Sequence, residues 1–363
     1  MSDRAALGVW FASRAGVLVL VLGGAWQLGG VPAGSVQGLL ERWDRWDVGL
    51  FRKVAEHGYA GFPADYPDVG IEAFFPGLPL VLALVHRVVP DWTAAGLLVS
   101  LVAGAAASVW LARLAELDGT PGSRAVLYLV LSPAAVFLAA GYSEALFLAL
   151  AVPGWLCARR GHWAAAGLLV AGACTVRVTG VFLAVGLAVH YAVTVRRLRP
   201  DAAWLLAPAV PLVAYATYLH ALTGDWLRWQ HAQEQGWGRR PTAPWDALAS
   251  TVRTATDART GSEYAWSAAA EVVAVAVGLV TTAVLLRRAR WGEATYVGLS
   301  VAALATSTTY LSVARATLLW FPLWLLLAQA TARRPGLHTA VVAVSAPLMA
   351  LGVVTFTSGR WVG

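Results

Sequence analysis

Residues 92–112 read WTAAGLLVSLVAGAAASVWLA, a stretch with no charged side chain that is long enough to cross a bilayer as a helix. The remaining chain repeats this pattern. We predict about twelve such membrane segments, several of them short, at 7–29, 74–89, 92–112, 124–140, 143–158, 162–176, 178–195, 202–222, 267–287, 294–313, 316–332 and 338–356. The first lacks the small-residue cleavage site of a signal peptide and is interpreted as a retained anchor.

Composition supports the same fold class. The chain is 58% apolar and only 13% charged, and its mean hydropathy of +0.63 is too high for a water-soluble globule of this length. We therefore predict an all-α polytopic membrane protein with about 11–12 membrane segments, forming one integral-membrane domain over residues 1–363. Arginine supplies nearly all of the positive charge, since Lys53 is the single lysine, and this usage favours a bacterial origin.

The basic residues predict how the chain is oriented in its membrane. The net charge of +7 is concentrated in short loops. Such a distribution is typical of residues that orient a membrane protein and contact anionic lipid headgroups, and it does not indicate nucleic-acid binding. Four basic loops are predicted to be cytoplasmic: Arg159-Arg160, Arg196-Arg197-Arg199, Arg287-Arg288-Arg290 and Arg333-Arg334. Two long loops, 30–73 and 223–266, then share the external face, and we expect short interfacial helices in the first.

Counting segments from the two chain ends gives orientations that differ by one crossing somewhere between residues 74 and 158. We therefore expect one segment in this region to be re-entrant or broken, because irregular backbone is tolerated where it lines a protein cavity. Four prolines fall in or beside its segments: Pro76, Pro79, Pro133 and Pro153. The pattern does not say which segment breaks.

Asp47, in the first external loop, is the candidate catalytic residue. Apolar positions recur at helical spacing from Val36 to Val54, and Asp47 falls inside that stripe. A carboxylate among apolar neighbours is expected to have a raised pKa or to be held charged by a partner such as an arginine or a bound cation, and either state suits a group that takes a proton from a hydroxyl. The alternative is that Asp47 caps a short helix that begins after Trp46.

Other ionisable residues interrupt apolar segments, where they usually face a cavity. Arg177 and Arg315 are candidate phosphate ligands, because a guanidinium suits phosphate; the alternatives are a snorkelling side chain and a headgroup anchor. Glu144 follows a predicted helix break and serves either as a helix cap or as a site residue. Glu271 and Glu293 are interpreted as ordinary boundary residues.

The second external loop is rich in tryptophan, at Trp226, Trp229, Trp237, Trp245 and Trp266. Most are expected to belong to the aromatic belt of the membrane interface, and one or two to stack on a sugar ring. Several chemistries have no motif in the chain: there is no glycine-rich nucleotide loop, no histidine pair at zinc-ligand spacing and no Gly-x-Ser-x-Gly. We predict no cofactor and assign no residue to a metal site, and the sequence leaves the metal requirement open.

The chain resembles the PIG-V type of mannosyltransferase, the GPI mannosyltransferase II family, within the GT-C class of polytopic glycosyltransferases. The matching pieces run in family order over nearly the whole chain: Arg45-Trp46-Asp47, Ala55-Glu56-His57-Gly58-Tyr59, Ala73-Phe74-Phe75-Pro76, Ser132-Pro133, Tyr142-Ser143-Glu144, Arg177-Val178-Thr179-Gly180, Gly224-Asp225-Trp226, Gln233, Trp237-Gly238-Arg239, Arg315, Pro322 and Gly359-Arg360-Trp361-Val362.

The resemblance implies a GT-C fold, an inverting transfer of mannose from a polyprenyl-phosphate donor, and Asp47 as the general base. This agrees with the roles expected from the residues themselves, in which Asp47 accepts the proton while Arg177 or Arg315 stabilises the charge that develops on the leaving phosphate. Candidate residues of the substrate pocket are Trp46, His57, Glu72, Tyr142, Glu144, Gln233 and Trp237. The expected acceptor is a lipid-linked or cell-envelope glycan on the external face of a bacterial plasma membrane, and a small accessory membrane subunit is a possible partner.

Two other functions fit the same residues. A transporter or flippase of lipid-linked sugars would use the buried charges to line a passage without making a bond. A non-catalytic subunit that scaffolds another transferase would show neither activity. Sugar transfer by the purified chain, or lipid movement in liposomes without an acceptor, distinguishes these functions.

Overall fold

A computed structural model describes residues 2–28, 35–60, 70–257 and 259–362, and the parts of the predicted first external loop at 30–34 and 61–69 lie outside it. The described residues form α-helices and no strand. The helices are α1 Ser2–Leu28, α2 Val36–Glu41, α3 Asp47–His57, α4 Gly77–His86, α5 Trp92–Leu117, α6 Gly122–Val130, α7 Glu144–Arg159, α8 Trp163–Val176, α9 Thr179–Val195, α10 Ala209–Thr223, α11 Arg228–Trp237, α12 Pro244–Thr256, α13 Ser262–Arg287, α14 Trp291–Ala305, α15 Val313–Ala316, α16 Phe321–Thr331 and α17 Pro335–Thr357. Short 3₁₀ helices occupy Ile71–Ala73, Ala135–Leu138, Pro200–Leu206 and Thr317–Leu319.

Five stretches are long and apolar enough to cross a membrane, which confirms an all-α polytopic membrane protein. They are Asp3–Gln27, Trp92–Leu117, Pro200–Thr223, Ser262–Arg287 and Pro335–Thr357. A sixth candidate is the pair Val313–Leu319 and Phe321–Thr331, which bends by 74° at Trp320. Because the other predicted segments form shorter helices, the count of about 11–12 membrane segments stays a prediction.

Ion pairs mark one end of the helix bundle, which we call the Asp118 end. Asp118 follows α5 and accepts from Arg159, at the end of α7, at 2.9 Å; its other oxygen lies 3.1 Å from Arg290, which precedes α14. Arg290 also pairs with the buried Glu293, which accepts from the Trp155 indole at 3.0 Å. Glu293 is therefore an internal anchor of the helix ends, and its assignment as an ordinary boundary residue is wrong.

The opposite end, which we call the Asp47 end, holds the irregular segments. Helix α5 has 26 residues and is about 39 Å long at 1.5 Å per residue, so its first residue, Trp92, lies far from Asp118. The His86 ring, at the end of α4, stacks on Trp92 with the ring centroids 3.6 Å apart. Gly77, at the start of α4, packs against Thr175 at the end of α8, two residues before Arg177. Both ends of α4 thus lie in the Asp47 half of the bundle, so α4, which falls in the region where a re-entrant or broken segment is expected, does not extend to the Asp118 end.

Small residues bring the central helices close together. The backbones of Gly96 on α5 and Gly141 before α7 touch, since a Cβ added at Gly96 would lie 3.0 Å from the Gly141 Cα. Gly104, also on α5, leaves room for the fully buried ring of Trp10 on α1. Membrane helices associate through such close packing, because lipid supplies no hydrophobic force that distinguishes one apolar surface from another.

The segment between α10 and α13 packs over the Asp47 end. Arg228, at the start of α11, donates to the buried Glu72 carboxylate at 2.7 and 2.9 Å, and the Trp229 indole donates to the Ala73 carbonyl at 3.2 Å. Further along, the Thr251 hydroxyl accepts from the Tyr310 N–H at 2.9 Å. These bonds place α11 against the 3₁₀ turn at the end of the first long loop and α12 against the chain that follows α14.

Candidate active site

Asp47 begins a short helix. We expected one amphipathic stripe from Val36 to Val54, and that prediction is wrong because the helix breaks at residues 42–46 between α2 and α3. The break ends at Trp46, whose φ of 53° is a left-handed value that non-glycine residues rarely adopt. The strained residue turns the chain so that Asp47 becomes the first residue of α3, where the partial positive charge of the helix N-terminus favours a carboxylate.

The Asp47 carboxylate points inward and is paired. The residue is 9% exposed, and its Oδ2 accepts from Arg315 Nη1 at 2.8 Å. Its backbone N–H donates to the Tyr142 hydroxyl at 3.2 Å, and the Tyr142 ring lies under the Arg315 guanidinium, 5.3 Å from its Cζ. An arginine therefore holds the acid, as one of the two expected states requires.

The turn that carries Arg315 is held by the carboxylate of Glu271. Glu271, on α13, is 2% exposed and accepts from the backbone N–H groups of Ser312, Val313 and Ala314 at 2.8, 2.6 and 3.0 Å. These groups belong to the first turn of α15, which carries Arg315. Because three charge-assisted bonds fix this turn, Glu271 is a positioning residue, and its assignment as an ordinary boundary residue is wrong.

Glu144 links the two candidate phosphate ligands. It is fully buried at the start of α7, and its Oε1 accepts from Arg177 Nη1 at 2.6 Å and lies 3.1 Å from Arg315 Nε. Arg177 also donates to the Ser143 hydroxyl at 2.8 Å, so it points into the protein and does not snorkel. Asp47, Glu144, Arg177 and Arg315 thus form one alternating network of two acids and two arginines.

A cavity of about 490 Å³ opens beside this network. Asp47, Arg177 and Arg315 line it from the bundle. Gln233 and Trp237 line it from α11, which runs across the Asp47 end and packs Trp237 edge-on against Phe74 with centroids 5.3 Å apart. Its volume falls in the range of small-molecule sites, and its wall combines aromatic rings with a few converging polar groups.

The other five predicted pocket residues, Trp46, His57, Glu72, Tyr142 and Glu144, do not line the cavity. Tyr142 and Glu144 stand behind Asp47 and the arginines, as supports. Glu72 is buried in its pair with Arg228. Trp46 is 43% exposed and packs edge-on against Trp361, and His57 is exposed near Glu56 at the end of α3. Helical spacing along α3 separates His57 from Asp47, since ten residues place them almost three turns apart.

The cavity residues that were not predicted as site residues include Trp361 and Arg239, which both belong to the motifs that carry the family resemblance. Trp361 lines the cavity from the chain after α17, and Arg239 lines it from the turn after α11. The motif Trp237-Gly238-Arg239 could have indicated Arg239, but only its tryptophan was included in the predicted pocket.

No group of three or more His, Cys, Asp or Glu side chains that would hold a metal occurs in the described part of the chain.

Replacing Glu271 by Gln is expected to loosen the turn that carries Arg315. The amide keeps one acceptor oxygen but removes the charge and turns an N–H donor toward backbone N–H groups, so we expect a loss of about 1.5–3 kcal/mol in unfolding free energy. Thermal unfolding in detergent, followed by tryptophan fluorescence, measures it. Glu263→Gln, at the exposed start of α13, is the control; equal stability of the two variants would contradict the role of Glu271.

Replacing Arg228 by Gln is expected to free α11 from the Glu72 turn. The Glu72 carboxylate would stay buried without its partner. If this lowers the free energy of local unfolding by about 1.4 kcal/mol, the fraction of molecules in which α11 is detached rises about tenfold. Limited trypsin digestion reports this as faster cleavage after the exposed Arg253 of α12. Arg259→Gln, whose side chain is 94% exposed, should digest there at the wild-type rate. An unchanged cleavage rate after Arg253 in Arg228→Gln would show that the Arg228–Glu72 pair does not hold α11 in place.

Known proteins are similar to this chain over the part that carries Asp47. The family model described as "Mannosyltransferase (PIG-V)" matches residues 30–197. The chain is 38% identical over 168 residues to "GPI alpha-1,6-mannosyltransferase 2" of Cricetulus griseus, 36% over 176 residues to that of Rattus norvegicus and 35% over 168 residues to that of Homo sapiens. These alignments cover 43–44% of this chain and 32–34% of those proteins.

The chain therefore aligns with about a third of the length of these curated relatives. The family match includes Asp47, Glu144 and Arg177, and it ends before Arg239 and Arg315, which the fold brings to the same cavity. The predicted resemblance is confirmed over this range: residues 30–197 of this all-α membrane protein match the PIG-V mannosyltransferase family.

Proposed function

We propose that this protein is a membrane mannosyltransferase that moves mannose from a polyprenyl-phosphate carrier to a hydroxyl of a lipid-linked or cell-envelope glycan. The observation that carries the proposal is Asp47, held by Arg315 at the wall of a sugar-sized cavity, within the range that matches PIG-V mannosyltransferases. A carboxylate fixed at a cavity beside several arginines suits a reaction that removes a proton and releases a phosphate.

The proposed step is a single displacement with inversion. The acceptor oxygen forms a bond to the anomeric carbon of mannose while the bond from that carbon to the phosphate oxygen breaks. The hydroxyl proton goes to Asp47, and the bonding electron pair leaves with the polyprenyl phosphate. No cofactor takes part, because the phosphate ester already activates the sugar.

The network around Asp47 supports this direction of charge movement. When Asp47 takes the proton, its negative charge disappears and Arg315 loses one of its two charged partners, while a negative charge develops on the leaving phosphate. Arg315 and Arg177 both line the cavity, so the charge lost at Asp47 is replaced by charge on the phosphate within reach of the same arginines. Such preorganised cations stabilise a transition state without reorganising during the reaction.

The distribution of arginine supports an external active site. The helix ends that carry Arg159-Arg160, Arg287-Arg288-Arg290 and Arg333-Arg334 lie at the Asp118 end, opposite the cavity. Basic loops favour the cytoplasmic side. The cavity then faces outward, where we place the acceptor, in the plasma membrane if the host is bacterial. A small accessory membrane subunit remains a proposed partner.

The experiment that tests this function incubates the purified protein with polyprenyl-phosphate mannose and a panel of membrane lipid extracts. Mass spectrometry should show one lipid class gaining one hexose while free polyprenyl phosphate accumulates. Consumption of carriers bearing only glucose or arabinose would refute the mannose assignment. Movement of the carrier across liposome membranes with no glycosylated product would favour the flippase, and neither activity would favour the scaffold subunit.

A further inference from the structure

The network of acids and arginines forms a row that divides the cavity. Asp47 pairs with Arg315 at 2.8 Å, and Arg315 lies 3.1 Å from Glu144. Glu144 accepts from Arg177 at 2.6 Å. Asp47 and Arg177 are thus the two end members of this row, and both line the cavity. Because inversion needs the attacking and leaving oxygens on opposite sides of the reacting carbon, the acceptor oxygen belongs at the Asp47 end, where its proton goes.

Trp361 is the tryptophan that lines the cavity at this end. Its ring packs edge-on against Trp46, the residue before Asp47, with the ring centroids 5.0 Å apart and the planes at 88°. Two perpendicular rings leave at least one face of each uncovered by the other. The Trp361 side chain is only half-buried, so an aromatic surface stays open next to the carboxylate.

The three other tryptophans of the described cavity wall are held by packing inside the fold. Trp320 is fully buried. Trp229 and Trp237 belong to α11 and pack edge-on against Phe75 and Phe74, with the ring centroids 6.1 and 5.3 Å apart. Their contacts hold α11 onto the turn before α4, so these rings serve the packing of the cavity wall.

Helix α17 and the turn after it bring the fourth tryptophan to the Asp47 end. Phe356, near the end of α17, packs edge-on against Tyr142 with centroids 5.9 Å apart, and the Tyr142 hydroxyl accepts from the Asp47 N–H. Gly359 then turns the chain with a φ of 78°, and a Cβ added there would lie 3.6 Å from the Cζ of Arg45. The chain after α17 therefore returns over residues 45–46, immediately before the proposed base.

We infer that Trp361 is the platform on which the acceptor sugar stacks, so that it selects an acceptor whose reacting hydroxyl belongs to a pyranose ring. The inference rests on the proposed function for the reaction itself. The C–H faces of a pyranose are apolar, and an indole offers them a large, rigid surface at low cost in conformational entropy. A ring stacked there carries its hydroxyls at its edge, next to Asp47, whereas a flexible alcohol or polyol gains no such contact.

The first test measures acceptor binding without any donor, on purified protein in lipid nanodiscs. The probes are the hexyl α-pyranosides of mannose, glucose and glucosamine, and 1-O-hexylglycerol, which carries the same alkyl chain without a ring. Titrations followed by saturation-transfer NMR give the dissociation constants. We expect one or more of the pyranosides to bind about fivefold more tightly than hexylglycerol, and Trp361→Ala to weaken that binding about tenfold, because it removes the stacked surface. Trp361→Phe, which keeps a smaller ring, should lose less.

Trp266→Ala is the matched control. It removes a tryptophan that is 73% exposed in the first turns of α13 and does not line the cavity, so it should bind the pyranosides as the wild type does. Equal affinity of the wild type for hexylglycerol and all three pyranosides would overturn the inference, as would binding by Trp361→Ala within twofold of the wild type. A parallel loss of short-chain polyprenyl phosphomannose binding and of thermal stability would make Trp361 a structural support and would also overturn it.

A second test measures the same residue during turnover, with the lipid acceptor found by the transfer assay. Trp361→Ala should raise the KM for the acceptor about tenfold and leave kcat at saturating acceptor nearly unchanged, because the lost contact binds the acceptor and takes no part in proton transfer. Pyranoside binding that depends on Trp361, without any sugar transfer, would refute the proposed function alone. Transfer with an unchanged acceptor KM in Trp361→Ala would refute this inference alone.

Discussion

Asp47→Asn is expected to lower the rate of sugar transfer by about 10²- to 10⁴-fold, the usual contribution of a general base. The amide has nearly the same shape and can still accept from Arg315, so the cavity should keep its form, but it cannot take the acceptor proton. Donor binding is expected to stay close to the wild-type level. Initial rates of product formation at saturating donor, together with donor titrations, separate the two effects.

Asp44→Asn is the matched control. Asp44 precedes Asp47 by three residues, and its side chain is 28% exposed and pairs with Arg52 away from the cavity. This variant should transfer sugar at the wild-type rate. Wild-type transfer by Asp47→Asn would remove Asp47 from the proton transfer, and a loss confined to donor affinity would make it a binding residue instead.

Glu144→Gln is expected to have the largest effect on stability. Glu144 is fully buried, and its carboxylate lies between Arg177 and Arg315, which are themselves largely buried. Removing one member of such a network leaves uncompensated charge inside the protein, which costs about 3–5 kcal/mol in unfolding free energy. Thermal unfolding in mild detergent should show a lower midpoint, and sugar transfer should fall because Arg315 loses one of its two anchors.

The loss of stability in Glu144→Gln would come from the uncompensated charges of Arg177 and Arg315. A second substitution that removes one of these charges should therefore restore part of the stability. Glu144→Gln combined with Arg177→Met removes one cation together with the acid and should recover some of the lost stability. Glu116→Gln, at the exposed end of α5, should leave the unfolding midpoint unchanged. A midpoint for Glu144→Gln that equals the wild-type value would contradict the account of the network.

Hydropathy predicted several of the helices because the apolar character of a segment can be determined from that segment alone. The apolar segment 92–112 lies within α5, and those at 143–158, 162–176 and 178–195 match α7, α8 and α9 to within two residues at each end. The stripe from Val36 to Val54 failed for an equally local reason. Its apolar spacing continued through residues 42–46, and spacing does not reveal that Trp46 adopts a left-handed backbone.

The partners of the predicted site residues were beyond sequence reasoning. Asp47 and Arg315 are 268 positions apart, and no pattern indicated that they form one ion pair. Glu271 resembled a boundary residue because the predicted apolar segment begins at residue 267, yet its carboxylate accepts from backbone N–H groups of the chain before Arg315. Such roles depend on which helix ends meet, and this depends on packing of the whole bundle.

The predicted pocket residues differ in where the structure places them relative to the cavity. Trp237 was predicted for the pocket and lines the cavity, whereas Arg239, two residues later, was not considered. His57 was predicted for it and lies exposed at the far end of α3. A family motif marks a stretch of chain, and only the geometry of the turn at Gly238 shows which of its residues faces inward.

We propose that the cavity between the Asp47 network and α11 binds the lipid-linked donor. Photo-crosslinking with a polyprenyl phosphomannose that carries a diazirine on its first isoprene unit tests it most directly, followed by peptide mapping with mass spectrometry. We predict labels on α11 and on the segments that carry Asp47 and Arg177, which excess unlabelled donor abolishes. Labels confined to the Asp118 end, or labelling that unlabelled donor does not reduce, would contradict the claim.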